Sequence, residues 1–382
     1  MSVSYQRALK EHFYNISLMQ SQTKVSSELS SKILTVGPDY HNHRGGVGAV
    51  IEAYSRNFEV FNFISTYKEG SAFVKIATYL SGLVRLFWFL LTRKKIKIIH
   101  IHGASYGSFY RKFIVFVIGK HVFRKKIIYH IHGGGFRMFY EKSNRFSKRL
   151  IKLFLRKADL VICLSQSWLE YFSTNHKTRD LVFLPNMIDY PQKCENRREH
   201  STINFLFLGL VTESKGIFDL INVIAKNKDK FRNKIRLLIG GNGKTEQLTD
   251  LINKYEIEDI VEFLGWVNGD NKISALNSSN VYILPSYIEG SPVSILEAMS
   301  YGMAIIATNI GGIPELVKNK ENGLLIEPGN LDQIEKALNY FVMNPGLIES
   351  YGAVSEMMIQ KHLPDSVLKK LIDIYQPVLS HE

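Results

Sequence analysis

Cysteine is almost missing from this chain of 382 residues: Cys163 and Cys194 stand alone, with no CxxC pair. Two such residues build neither a disulfide framework nor a thiolate metal site. Metal-ligand spacings such as H-E-x-x-H are absent, and so is a G-x-S-x-G elbow, which leaves hydrolase and metalloenzyme readings without support. The N-terminal residues carry no secretory-leader pattern, so a reducing cytosol is the expected compartment. Acid is scarce over one long stretch, where Glu141 is the only Asp or Glu between Lys75 and Lys157.

That last shortage makes the formal net charge of +13 uneven. Residues 1–200 hold 32 Lys/Arg against 13 Asp/Glu, and residues 201–382 hold 16 against 22. Within the basic belt, Arg93, Lys94, Lys95, Lys97, Arg111, Lys112, Arg124, Lys125, Lys126, Arg145, Lys148 and Arg149 alternate with apolar segments such as LVRLFWFLL and FIVFVI. The apolar stretch 72–91 contains Lys75 and Arg85 and runs at once into the strand-like KIKIIHIHG, which argues against a transmembrane helix. No helix-turn-helix, zinc-finger or RNP pattern organises the charge for nucleic acid, and no nucleic-acid partner is expected. Two readings stay open: a domain that rests on an anionic membrane face, and ordinary core helices of a basic protein.

At this length two domains are expected, each able to bury its own core. Residues 1–30 are polar and read as an N-terminal extension. Residues 31–188 alternate short Ile/Val/Leu runs with helical stretches, the pattern of a parallel sheet covered on both faces. The passage DYPQKCENRREHST reads as a linker over 189–202. A second series of strands and helices fills 203–355, and residues 356–382 read as a helical tail. The predicted fold class is α/β, two doubly wound Rossmann-like domains facing each other across a cleft, with ligand loops at the carboxyl ends of the strands.

The most informative run is EGSPVSILEAMSYGMAIIATNIGGIPELV. Glu289 precedes a turn made by Gly290, Ser291 and Pro292, and Glu297 rides two turns into the helix predicted from Val293. Free backbone N–H groups and the positive helix end over Gly290, Ser291, Pro292, Val293 and Ser294 suit a phosphate, and the flanking carboxylates suit hydroxyls. A sugar nucleotide carries phosphates in the middle and hydroxyls at both ends. Lys215, beside Gly216 after the first strand of the second series, can reach a diphosphate as a point charge. His132 ends a strand above Gly133, Gly134 and Gly135, and the loop around Gly45 and Gly46 permits close approach of backbone to ligand. The run GGNGKT is a glycine turn: the first glycine of a P-loop would fall on Leu238, and Glu246 replaces the third glycine of a dinucleotide fingerprint.

Taken together, these segments resemble a retaining glycosyltransferase of the GT-B fold, of the family 4 type used in polysaccharide and glycolipid assembly, over nearly the whole chain after Ser31. The resemblance implies that Glu289 bonds the donor sugar near the reacting carbon, that Glu297 holds the ribose, and that Gly290 to Ser294 cradle sugar and diphosphate. It makes Lys215 the diphosphate lysine and places Trp266 and Val267 beside the base. His132 and the Gly45 and Gly46 loop become the first domain's contribution, with Glu289, His132 and Lys215 as the catalytic set. It further implies a UDP- or GDP-sugar donor, a saccharide acceptor that is lipid-linked, no metal and no cofactor, and a cytoplasmic protein peripheral on the inner face of the plasma membrane. A soluble acceptor, or a nucleotide-sugar-binding protein without catalysis, is the alternative. One residue departs from the family pattern: Leu210 follows Gly209 where an arginine is usual, which leaves Arg44 and Arg137 as candidates for the second cation.

Overall fold

The computed structural model describes residues 23–41, 45–193 and 202–380. They divide into two compact units: the first runs through Asp189 and takes up the chain again from Lys361, and the second is Tyr190–Gln360.

The first unit is a six-stranded sheet of β1 (Ile33–Gly37), β2 (Asn62–Ser65), β3 (Ile98–Gly103), β4 (Lys126–Ile131), β5 (Leu160–Cys163) and β6 (Leu181–Phe183), in the order β2-β1-β3-β4-β5-β6. Every neighbouring pair is parallel. The Ile, Val and Leu residues of β1, β3 and β5 follow from this, because a strand covered on both faces has no solvent side to alternate with, and these strands are buried throughout. A core of Ile99, Ile127, Phe109, Phe116 and Phe154 joins the sheet to its helices.

The second unit repeats the plan with β7 (Ile203–Leu208), β8 (Ile235–Gly240), β9 (Val261–Gly265), β10 (Val281–Leu284), β11 (Ala304–Thr308) and β12 (Gly323–Ile326), ordered β12-β11-β10-β7-β8-β9 and again parallel. The chain starts in the middle at β7, builds outward to β9, then returns to β10 and builds the other way. β7 and β10 are therefore neighbours whose following loops leave in opposite directions, opening a crevice at the switch point. Both units have the expected doubly wound α/β architecture.

The domain limits differ from the sequence reading at both ends. Val25, placed by the sequence in the extension, is fully buried and bridges Phe58, while residues 1–22 lie outside the described set. Residues 190–193 of the expected linker already pack on the second unit: Gln192 N donates to Tyr301 Oη at 3.1 Å, and its carbonyl accepts from Asn277. The expected tail is split. The helix Gly346–Ile359 belongs to the second unit, where Gly352 meets the backbone of Gly302, and the helix Pro364–Ser380 belongs to the first. Its Val367, Leu368, Leu371 and Tyr375 are fully buried. Leu371→Ala is expected to destabilise the first unit by about 2–5 kcal/mol, visible as a lower denaturant midpoint, with the second unit's transition unmoved.

Candidate active site

The loops after β7 and β10 carry Lys215 and Glu289, and the structure joins them. Lys215 lies in a single helical turn, Glu213–Lys215, whose last residue is followed by Gly216 in the left-handed region at φ 68°. A Cβ on Gly216 would lie 2.0 Å from the Pro285 carbonyl oxygen, so only glycine allows the β7 loop to lie against the β10 loop. Tyr287 N donates to Ser214 O at 2.9 Å and ties the same two loops. The outcome is an ion pair, Lys215 Nζ to Glu289 Oε1 at 2.5 Å, with Ser286 Oγ donating to the same oxygen at 2.9 Å. The Glu289 side chain is only 8% exposed.

Glu289 is braced from its other side as well. Gly311, at φ 55°, would place a Cβ 2.2 Å from the Glu289 carbonyl oxygen, and Gly312 N donates to Gly290 O at 2.7 Å. Gly290, Ser291 and Pro292 are buried as they enter the helix Val293–Ser300. Within it, Ile295 N is the first to bond back to Pro292 O, at 3.2 Å, and no side chain caps the start. The amides of Val293 and Ser294 precede that first bond, as the orphan donors of a helix N-terminus do. Glu297, about one turn along, accepts from Lys272 Nζ at 2.8 Å. The sequence reading offered both carboxylates to ligand hydroxyls alone. In the structure each also accepts from a lysine, and Lys272 was not foreseen, because nothing in the helix Gly269–Ser278 marks it before its distant partner is known.

Beneath the pair lies Tyr282, fully buried, its hydroxyl donating to Leu208 O at 2.9 Å. Burial, with Glu289 and Glu297 nearby, pushes the phenol far above its ordinary value, so it serves as a neutral donor. Trp266 and Val267 sit at the end of β9 on the same carboxyl edge, Trp266 exposed and Val267 buried against Gly240. Leu210 is exposed on the β7 loop. Of the two arginines considered in its place, Arg44 lies outside the described residues, and Arg137 is exposed and paired with Glu141 at 2.9 Å in the first unit. A second cation tied to the loop that carries Leu210 and Lys215 is Lys244, which pairs with Glu213 and whose amide donates to Val211 O at 2.9 Å.

In the first unit, His132 follows β4 and its amide donates to Gly103 O at 2.9 Å. Its ring meets His102 at 2.8 Å, Nε2 to Nδ1. Behind them His100 bonds His130 at 3.3 Å and the Tyr375 hydroxyl at 2.7 Å. These histidines are thus one ladder, with His100, His102 and His130 wholly inside the fold. Burial holds His100 and His132 down to about 3, and His102 and His130 also well below the usual imidazole range. Ring nitrogens of His100, His102 and His130 lie within 4.8 Å of one another, a spacing that could hold an ion. Both nitrogens of His100 and the Nδ1 atoms of the other two are spent on one another, His132 and Tyr375, leaving only two Nε2 atoms without a partner. Two free nitrogens fall short of a tetrahedral set. Gly45, extended at φ −167°, caps the helix Gly46–Asn57, with open space where its Cβ would stand. Gly46 is exposed at that helix start.

Two outcomes follow. Gly216→Ala, forced into a left-handed conformation against the Pro285 carbonyl, is expected to cost roughly 1–3 kcal/mol and to part Lys215 from Glu289, measurable by denaturation. The neutral histidines make the first unit sensitive to acid. The unfolded chain takes up protons near 6.5 and the folded unit does not, so their contribution is complete above that value and is lost as pH falls toward the folded values. Each buried ring adds up to about 1.4 kcal/mol per pH unit in that window. Stability measured between pH 6.5 and 4 is expected to fall less steeply in His130→Asn than in the parent.

With this geometry in hand, comparison with known proteins is specific. Residues 61–190 match the model of Glycosyltransferase Family 4, and residues 192–357 match Glycosyl transferases group 1. An uncharacterized glycosyltransferase of Haemophilus influenzae is 29% identical over 240 residues, covering 62% of this chain and 65% of that protein. The putative colanic acid biosynthesis glycosyltransferase WcaL of Escherichia coli is 26% identical over 53% of this chain and 52% of its own length. The chain therefore spans less than two thirds of the length of either relative. HepE of Anabaena, solved in complex with UDP-glucose, superposes with a TM-score of 0.69 over 89% of this chain and 98% of its own at 16% identity, a likeness of fold. The two consecutive domain matches and the two doubly wound sheets agree, and the chain belongs to the family 4 type of glycosyltransferases, with the GT-B fold.

Proposed function

We propose that this chain is a retaining hexosyltransferase that takes its sugar from a UDP- or GDP-linked donor and delivers it to a membrane-linked saccharide during exopolysaccharide, capsule or lipopolysaccharide assembly. The observation that carries this reading is the Lys215–Glu289 pair at the switch point of the second unit, beside the open start of the Val293–Ser300 helix. A nearly buried carboxylate is tolerable here because a cation and a hydroxyl neutralise it. When a donor diphosphate arrives, it is the stronger partner for Lys215, and Glu289 is released to accept from sugar hydroxyls. Glu297 does the same for the ribose, with Lys272 as its resting partner. Family membership supports glycosyl transfer, HepE was solved with UDP-glucose, and WcaL is named for colanic acid biosynthesis.

In this mechanism the bond between the anomeric carbon and the phosphate oxygen breaks as negative charge grows on the diphosphate. Lys215 and the amides of Val293 and Ser294 stabilise that charge, which requires no metal. The acceptor hydroxyl attacks from the face the diphosphate leaves, forming the new bond to the anomeric carbon, and its proton passes to the departing phosphate oxygen. His132 in the first unit is a neutral imidazole, since its pKa leaves no charged form at neutral pH. The retained anomer is checked by NMR of the product, and a covalent sugar adduct on the protein would overturn the same-face route.

A thermal-shift series with UDP, GDP, ADP and their sugars tests the donor. One of UDP or GDP is expected to stabilise the protein by roughly 2.7 kcal/mol at a hundred times its dissociation constant, with Lys215→Ala losing most of that shift. Glu289→Gln is expected to keep nucleotide binding and lower kcat by about 10²–10³. Absence of stabilisation by every nucleotide, or full turnover in Glu289→Gln, would remove the proposal.

A further inference from the structure

The helix Ala72–Thr92 has its apolar side turned the wrong way for a soluble protein. Only Gly82, Leu86 and Leu90 of its 21 residues are buried. Phe73, Ile76, Leu80, Val84, Trp88 and Leu91 are all large, apolar and between 49% and 80% exposed. At about 100° per residue these six, with Ala77 and Phe87, fill one unbroken arc opposite the buried line, and no charged residue interrupts it. Arg85 lies on the flank, and the exposed Arg93, Lys94 and Lys95 stand at the C-terminal end. The patch continues across Phe87, which packs edge-on against Phe123, to the exposed Val122. A continuous apolar face of this size rimmed by cations is the signature of an interaction surface.

We infer that this face is a docking surface for an anionic phospholipid bilayer, with the helix lying in the plane of the interface. The occupant is chosen by charge. The helix itself contains no acid, and from Lys75 to Lys157 the only one is Glu141, which is paired with Arg137. The helix packs on Gly107–Val117, and that helix on Arg145–Lys157. All three connect strands in the same sense across the sheet, so the right-handed crossover rule sets them in one layer. The third helix adds the exposed Arg145, Arg149, Lys152 and Arg156, with Phe146 67% exposed among them. Apolar insertion rimmed by cations fits lipid acyl chains below anionic headgroups. Not every residue of the basic belt takes part, since Lys112 is buried against Thr66.

Length and composition alone would let this helix cross a bilayer. Its attachment argues for the interfacial position: a Cβ on Gly82 would lie 2.4 Å from the Ser65 carbonyl oxygen, and Leu86 and Leu90 belong to the core of the first unit. Crossing would strip these contacts away, whereas lying flat keeps them and buries the outer arc. The inference deepens the proposed reading, because a lipid-linked acceptor is met at such a surface, and rests on it only for the acceptor.

Flotation of the full chain with vesicles provides the test. Binding to vesicles of phosphatidylcholine with about 30% phosphatidylglycerol is expected to exceed binding to phosphatidylcholine alone at least tenfold and to weaken strongly in high salt. Phe73→Ser with Leu80→Ser and Trp88→Ser should abolish binding. Arg93→Gln with Lys94→Gln and Lys95→Gln should lower it by roughly a hundredfold. Neither variant touches the donor residues, so the nucleotide thermal shift stays in place and reports folding separately. No flotation at low salt would overturn the inference, and so would flotation unchanged in both variants. A second copy as the true occupant would appear as a dimer in sedimentation, broken by the apolar variant, without lipid binding.

Discussion

A carboxylate held almost out of water, Glu289, is what the second unit is arranged around. Left alone, such a charge would cost several kcal/mol. Lys215 and Ser286 meet the same oxygen: Ser286 comes from its own loop, and Lys215, 74 residues away in sequence, is brought up because β7 and β10 are neighbours in space. The close approach of the loops depends on two glycines at positive φ, Gly216 against Pro285 and Gly311, from the loop after β11, against Glu289. The chemistry of the site thus depends on sheet topology, and the topology on residues that have no side chain to offer.

The first unit meets a comparable difficulty by the opposite means. Its interior holds imidazoles kept neutral by burial and bonded in sequence from Tyr375 through His100 and His130, with His102 and His132 alongside. Lys112 is drawn in with them, burial and Arg111 holding it far below the ordinary lysine value while it donates to Thr66. Buried Asp159 in this unit is paired with Lys120 and Arg179, while Arg93, Lys94 and Lys95 stand exposed at the end of Ala72–Thr92. The second unit pairs opposite charges near its switch point, Lys215 with Glu289 and Lys272 with Glu297.

Much of this architecture was legible because parallel strands buried on both faces leave runs such as KILTVG and AIIAT that resemble nothing else, and because a glycine turn before a helix marks a strand end. Glu289, Glu297 and Lys215 were legible for the same reason, each lying at a strand's carboxyl end or on the helix after it. Lys272 was not, since a lysine on a polar helix has no local mark. Nor was the union of the four histidines: the registers that set His102 beside His130 and His132 next to His102 exist only once β3 and β4 pair. The same limit hid the last helix, whose apolar spacing was plain while its partner, a sheet begun more than three hundred residues earlier, was not.

By itself, then, the sequence determined the elements, the doubly wound class and the places of Glu289, Glu297 and Lys215 at or just beyond strand ends, because these depend on periodicity and on local turn chemistry. Tertiary structure alone decided who pairs with whom: Lys215 with Glu289, Lys272 with Glu297, Tyr375 with His100. It also decided which side of Ala72–Thr92 faces outward, since an apolar arc on a helix can serve a core or a surface with equal ease. The seat that Gly82 takes against Ser65, with Leu86 and Leu90 in the core, fixes the choice.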